Sequence, residues 1–212
     1  MKVWAIALCL ITRLMAQYVA QDFSGLTKSV EGLSPALLEM HIKLYEGYVK
    51  NTNTLLETIK KTDDRSITYG ALKRRMGWEM DGMLLHEAYF SNMGASSLDP
   101  KSDLYLQIER DFGSYAAWEK DYKATGLIRG IGWVILYRDP KDGHLHNVWI
   151  NEHDLGHIAG GTPLLVMDVW EHAYITEFGL NRAGYIDTFF KNINWDKVVA
   201  RYANNRLPNS GQ

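Results

Sequence analysis

The chain has 212 residues, 46% of them hydrophobic, which suits one medium domain or two small packed ones with ample apolar content for a core. Its formal charge of −2 and pI near 6.4 give no clustered basic surface of the kind nucleic acid requires. The lone cysteine, Cys9, excludes a disulfide framework and a cysteine metal site, so any metal must be held by nitrogen and oxygen donors.

The N-terminal run MKVWAIALCLI has one early lysine and the length of a signal-peptide apolar core, too short to cross a membrane. Arg13 follows closely, no small-x-small cleavage site precedes Gln21, and Met15 opens a stretch that reads as a soluble start. Residues 1–21 are therefore a leader or a misassigned start. A cytoplasmic protein is expected, with export as the alternative if residues 1–20 act as a signal peptide. Nothing later in the chain approaches a membrane segment.

Ser34 as N-cap and Pro35 at the first helical position open a helical stretch reaching Lys61. Leu37, Leu38, His41, Leu44, Tyr45, Tyr48 and Val49 recur at three- and four-residue spacing, so they share one face. The stretch is long enough for one long helix or two joined ones. A polar gap at 62–68 leads to a second helix over about 69–93, and Gly94 with the Ser-Ser-Leu-Asp-Pro run at 96–100 marks a boundary. Two shorter helical patterns follow at about 102–110 and 114–124.

IGWVILYR and HLHNVWIN are rich in β-branched and aromatic residues, and DPKDG between them is a turn signal, which together predict an antiparallel hairpin. TPLLVMDV supplies a candidate third strand, and residues 170–205 return to helix. The expected class is α+β. An N-terminal α-helical hairpin domain (22–96) precedes a C-terminal α/β domain (97–205) with a small three-stranded antiparallel sheet.

Three histidines sit among aromatics on helical or strand faces: His41 in LLEMHIKLY, His86 in MLLHEAYF and His172 in DVWEHAY. Each alone reads as a satisfied core histidine. Together with Asp168, four residues before His172, they make a mixed nitrogen and oxygen set suited to iron, manganese or zinc. His153 and His157 form a competing pair at four-residue spacing that hints at a zinc hydrolase. The residue after the first histidine is Asp154 and not the glutamate of HExxH, however, and Gly156 suggests a loop. His144 and His146 flank a turn and are expected to be solvated.

DVWEHAY resembles the D-x-W-E-H signature of iron/manganese superoxide dismutases. ERDFGSYAAWEKDY, GIGWVIL, NRAGY and NINWDKVVARY resemble that family's C-terminal domain, in the family's order. LLHEAYF and EMHIKLYEGYVKNTN resemble its second- and first-ligand helices, so the likeness covers residues 22–205. The resemblance implies an iron or manganese ion, one per subunit, held by His41, His86, Asp168 and His172. His153 falls where the family places a Gln or His that hydrogen-bonds solvent at the metal. Gly82 occupies the place from which some members supply that Gln instead. Tyr48 resembles the gateway tyrosine, Arg182 the arginine supporting it, and Trp133 and Trp170 the walls of the pocket. Glu171 resembles the acid that reaches across the dimer interface.

The implied function is conversion of superoxide to oxygen and hydrogen peroxide by a metal cycling between +3 and +2. The implied partners are superoxide and a second copy of the chain, in a homodimer or a dimer of dimers. With a net charge of −2, steering of the small anion by Arg182 and nearby lysines must be local. Iron and manganese remain alternatives.

The chain departs from the family pattern in three places. Seven residues rather than eight separate His41 from Tyr48, as expected if the family's helix carries a one-residue π-bulge that is missing here. A different alignment would put Met40, a poor donor for such a shell, in the ligand position. The gateway histidine becomes Tyr45, and its cross-interface tyrosine partner becomes Ile175. The alternative function is therefore a dismutase-like metal-binding protein with weak or no turnover.

Overall fold

The computed structural model describes residues 17–204; residues 1–16 of the expected leader and the last residue of the expected C-terminal domain lie outside that range. Four helices begin on a serine whose hydroxyl accepts a backbone N–H three residues on. Ser34 caps Leu37, Ser66 caps Tyr69, Ser102 caps Tyr105 and Ser114 caps Ala117. After a single turn, α1 (Leu26–Ser29), the chain enters α2 (Pro35–Lys61) and α3 (Ile67–Ser91). The 34–61 pattern is thus one 27-residue helix. It packs along α3, and their apolar faces bury Leu38, Tyr45, Met83, Tyr89 and Phe90.

Helices α4 (Asp103–Phe112) and α5 (Tyr115–Gly126) lead to the sheet. Gly113 ends α4 at φ +83, a left-handed turn that suits glycine. Strands β1 (Gly132–Arg138), β2 (Leu145–Asn151) and β3 (Thr162–Asp168) form an antiparallel sheet in the order β2-β1-β3, as the sequence predicts. Residues Gly132 to Tyr137 of the central strand are buried, so the hairpin's first strand is apolar on both faces. The tail has a 3₁₀ turn (Glu171–Ala173) and three helices, α6 (Ile175–Phe178), α7 (Arg182–Lys191) and α8 (Trp195–Asn204).

Two features bring the halves of the chain together at one place. Asn92, at the end of α3, accepts from Val166 N (2.9 Å) and donates to Val166 O (3.1 Å), seating α3 on the edge strand β3. The β1–β3 register sets Trp133 opposite Asp168, the last residue of β3. The face of α3 carrying His86 therefore meets the end of the sheet carrying Asp168.

Candidate metal centre

His41 comes from α2, His86 from α3, Asp168 from the end of β3 and His172 from the 3₁₀ turn that follows. One donor atom of each lies within 4.8 Å of all the others. Asp168 Oδ2 faces three imidazole Nε2 atoms, at 3.1 Å from His41, 3.1 Å from His172 and 3.7 Å from His86. The other carboxylate oxygen accepts Trp170 N at 2.8 Å, and the Asp168 carbonyl accepts the Tyr185 hydroxyl at 2.7 Å. The aspartate is thus fixed on every side except the one facing the histidines.

His86 shows most clearly what that side is for. Its Nδ1–H donates to the Gly82 carbonyl, which leaves the lone pair on Nε2. That Nε2 is buried and has no hydrogen-bond partner, an arrangement that costs stability unless something accepts the lone pair. Burial pushes the His86 and His41 imidazoles below their ordinary range. Burial would raise Asp168, but His172 and His41 outweigh it and hold the carboxyl well below the usual range. Neutral imidazoles and one ionised carboxylate are the protonation states a metal needs. The donor set fits an iron or manganese ion.

Around these four lies an aromatic and imidazole layer. Trp133 Nε1 donates to His153 Nδ1 at 3.1 Å, and an indole can only donate. In the neutral ring the proton must then sit on His153 Nε2, which donates to the Tyr48 hydroxyl 2.7 Å away. The Tyr48 O–H is left free to donate into the site. Burial depresses His153 to about 4, so the ring is neutral at physiological pH, and burial with the Glu79 and Asp168 charges pushes Tyr48 up to about 12. Trp170 stacks on His153 (centroids 4.6 Å apart) and on His172 (5.7 Å).

The seven-residue spacing of His41 and Tyr48 is resolved by the helix itself. At about 100° per residue, seven residues return within roughly 20° of the starting face. Helix α2 is regular α-helix throughout, with no wider turn between the two residues. Tyr48 therefore reaches His153 and stacks on His86 at 5.2 Å without an inserted residue. Gly82 makes room: a Cβ there would lie 2.6 Å from Tyr48 Cδ1 and 2.7 Å from Cε1. Gly82→Ala should lower stability by about 1–3 kcal/mol despite alanine's better helix propensity, because an aromatic ring in a packed site must shift. Thermal unfolding checks this, and an unchanged midpoint would show that the ring yields freely.

Several residues take places that spacing did not indicate. Arg182 donates to the Tyr174 hydroxyl and to the carbonyls of Ile128 and Gly130, and Tyr48's hydrogen bond comes from His153. Glu171 is exposed beside His172. His157 bridges Tyr137 and the His153 carbonyl, so it fastens the loop carrying His153 and stands outside the four-donor group. His144 and His146 are exposed, as expected, and His144 pairs with Asp111 at 2.6 Å. Tyr45 does not face solvent: it is fully buried, donates to Glu87 at 2.8 Å and accepts Gln21 N. Trp78, which the sequence reading did not single out, packs edge-on against His153 at 4.9 Å and Trp170 at 5.9 Å.

The sign of the pH dependence follows from these shifts. His153 is depressed from 6.5 to about 4, so its contribution to stability is complete above pH 6.5 and is lost as pH falls through 4. Protonation would also turn Nδ1 into a donor facing the Trp133 indole donor. Metal-free protein should therefore lose stability between pH 6.5 and 4, and His153→Gln should lose less over that window. Denaturant titrations at stepped pH measure this; equal slopes for the two proteins would contradict it.

Among the described residues no helix is long and apolar enough to cross a membrane. Residues 100–201 match the family model of the C-terminal domain of iron/manganese superoxide dismutases. The chain is 39% identical over 180 residues to an iron superoxide dismutase of Cupriavidus metallidurans, covering 81% of this chain and 89% of that one. It is 32% identical over 197 residues to a manganese superoxide dismutase of Haloarcula marismortui, covering 89% and 96%. With an iron superoxide dismutase of Pyrobaculum aerophilum it shares 31% identity over 176 residues, 80% and 83% of the two chains.

Proposed function

The chain belongs to the iron/manganese superoxide dismutase family, oxidoreductases that convert superoxide to oxygen and hydrogen peroxide, and we propose that His41, His86, Asp168 and His172 hold its iron or manganese ion. The observation that carries this assignment is the buried, unpartnered His86 Nε2 facing Asp168 Oδ2 and two further imidazoles. When bound, an iron or manganese ion would supply one-electron exchange with superoxide.

The chain's own residues supply the surroundings of that exchange. One carboxylate and three imidazoles would hold the ion, a nitrogen and oxygen donor set that suits iron or manganese. Trp133 fixes the tautomer of His153, and His153 in turn fixes Tyr48 as a hydroxyl that can donate a proton to a reduced oxygen species. Trp78, Trp133 and Trp170 keep bulk water from the imidazoles, which strengthens every electrostatic interaction inside. In our reading residues 22–96 and 97–205 are two domains, and the four ligands divide between them, two from each.

Assembly as a homodimer, or a dimer of dimers, is part of the same proposal, with the exposed Glu171 beside His172 as the group reaching toward a second subunit. We place the protein in the cytoplasm, which suits a chain with one cysteine and so no disulfide. The test is elemental analysis of protein from its native source, followed by reconstitution with each metal and inhibition of superoxide-driven dye reduction. One ion per chain with strong inhibition is expected; metal-loaded protein without activity would refute the reading. It would leave a metal-binding protein whose changes at Tyr45 and Ile175 have removed turnover.

A further inference from the structure

Helix α3 carries Arg75, Glu79, Gly82 and His86 at spacings of four, three and four, a single stripe along one face. The stripe runs from the surface to a proposed metal ligand. At its outer end the Arg75 side chain is 53% exposed, while Glu79 is 7% exposed. Glu79 Oε1 accepts from Arg75 Nε at 2.8 Å and lies 2.7 Å from its NH2, which fixes the plane of the guanidinium. The guanidinium carbon lies 4.8 Å from the centroid of Trp78, and Trp78 is the ring that packs on both His153 and Trp170. Burial dominates the shifts of Tyr48 and His153, and the Arg75 charge acts on both. An anion approaching this face meets the cation before the buried carboxylate behind it. The guanidinium of Arg182, by contrast, is tied to Tyr174 and two carbonyls.

We propose that Arg75, clamped by Glu79 over Trp78, is the cation that draws the anionic substrate to the mouth of the site. It is a positioning residue for the dismutase reaction, and this assignment rests on the dismutase reading above. Glu79 holds the guanidinium in place and also damps its field. Removing the carboxylate charge while keeping Arg75 should therefore speed capture.

Arg75→Gln alone would leave Glu79 as a buried unpaired charge and could fail to fold, so the decisive pair is Glu79→Gln against Arg75→Gln/Glu79→Gln. Neither leaves a carboxylate at position 79, and they differ in the Arg75 charge. At roughly 10 mM ionic strength, kcat/KM of the metal-loaded double variant should be lower by about three- to tenfold, a single charge falling at or below the low end of the effects of a whole charged cleft. The gap should close near 0.5 M salt, where screening lengths fall to a few ångströms. Arg75→Lys/Glu79→Gln should recover most of it. Equal values at low salt, or the same ratio at every salt, would overturn the proposal.

A second readout needs no turnover. In the metal-free proteins, quenching of tryptophan fluorescence by iodide relative to neutral acrylamide should fall when Arg75 is neutralised, and this difference should vanish in a Trp78→Phe background. Unchanged iodide quenching would overturn the proposal even if the wild-type protein is a full dismutase. Absent dismutase activity with intact iodide enrichment would instead count against the functional reading.

Discussion

Asp168→Asn should yield a folded protein that no longer holds its metal. The substitution keeps the shape of the side chain, its acceptor for Trp170 N and the backbone pairing with Trp133, so the end of β3 should survive. What disappears is the only carboxylate among four converging donors, leaving three imidazoles and an amide around the ion. The outer partners of a metal site are typically worth about 10–100-fold in affinity or activity, and loss of a ligand carboxylate should exceed that range. Equilibrium dialysis with elemental analysis should show affinity down by more than about 100-fold, with dismutase activity lost in parallel. A variant that keeps one tightly bound ion per chain would show that Asp168 is not a ligand.

The second large effect is expected at His153, and here metal should stay while turnover falls. His153 touches the site through two hydrogen bonds, one received from Trp133 and one given to Tyr48. His153→Ala removes both and leaves the indole N–H and the Tyr48 hydroxyl without those partners. Activity should drop by about 10–100-fold with the metal retained. His153→Gln has an oxygen to accept from Trp133 and an NH2 to donate to Tyr48, so it should recover most of the loss. Had His153 and His157 been a zinc pair, His153→Ala would abolish metal binding. The structure speaks against such a pair, since His157 is held by Tyr137 and a backbone carbonyl.

The four converging residues proposed as ligands could be picked out from the chain because their neighbours are distinctive. DVWEH is a short, ordered pattern, His41 sits on a helix whose apolar residues recur on one face, and His86 lies in the recognisable segment LLHEAYF. The Ser34 cap with Pro35 after it, the DPKDG turn and the β-branched and aromatic runs on either side of it marked α2 and the hairpin in the same way. Each of these signals is local.

What could not be read depends on contacts between distant segments. The His153 tautomer is set by an indole 20 residues away. Trp78 stands eight residues before His86, about 80° off its face, so helical periodicity does not mark it as part of the site. Arg182 lies in a recognisable motif, yet two of its three partners are carbonyls more than 50 residues earlier in the chain. Tyr45 is the clearest case. As the replacement for a gateway residue it is expected at the site's mouth, but burial against Phe23 and Phe90 and the bond to Glu87 turn it into a core residue.

The central claim, that one redox-active ion sits among His41, His86, Asp168 and His172, is open to direct measurement. Crystals of metal-loaded protein, with anomalous scattering recorded at the iron and manganese edges, should show one peak per chain bonded to the three Nε2 atoms and Asp168 Oδ2. A peak at His153 and His157, or an ion bound without His86, would contradict the account.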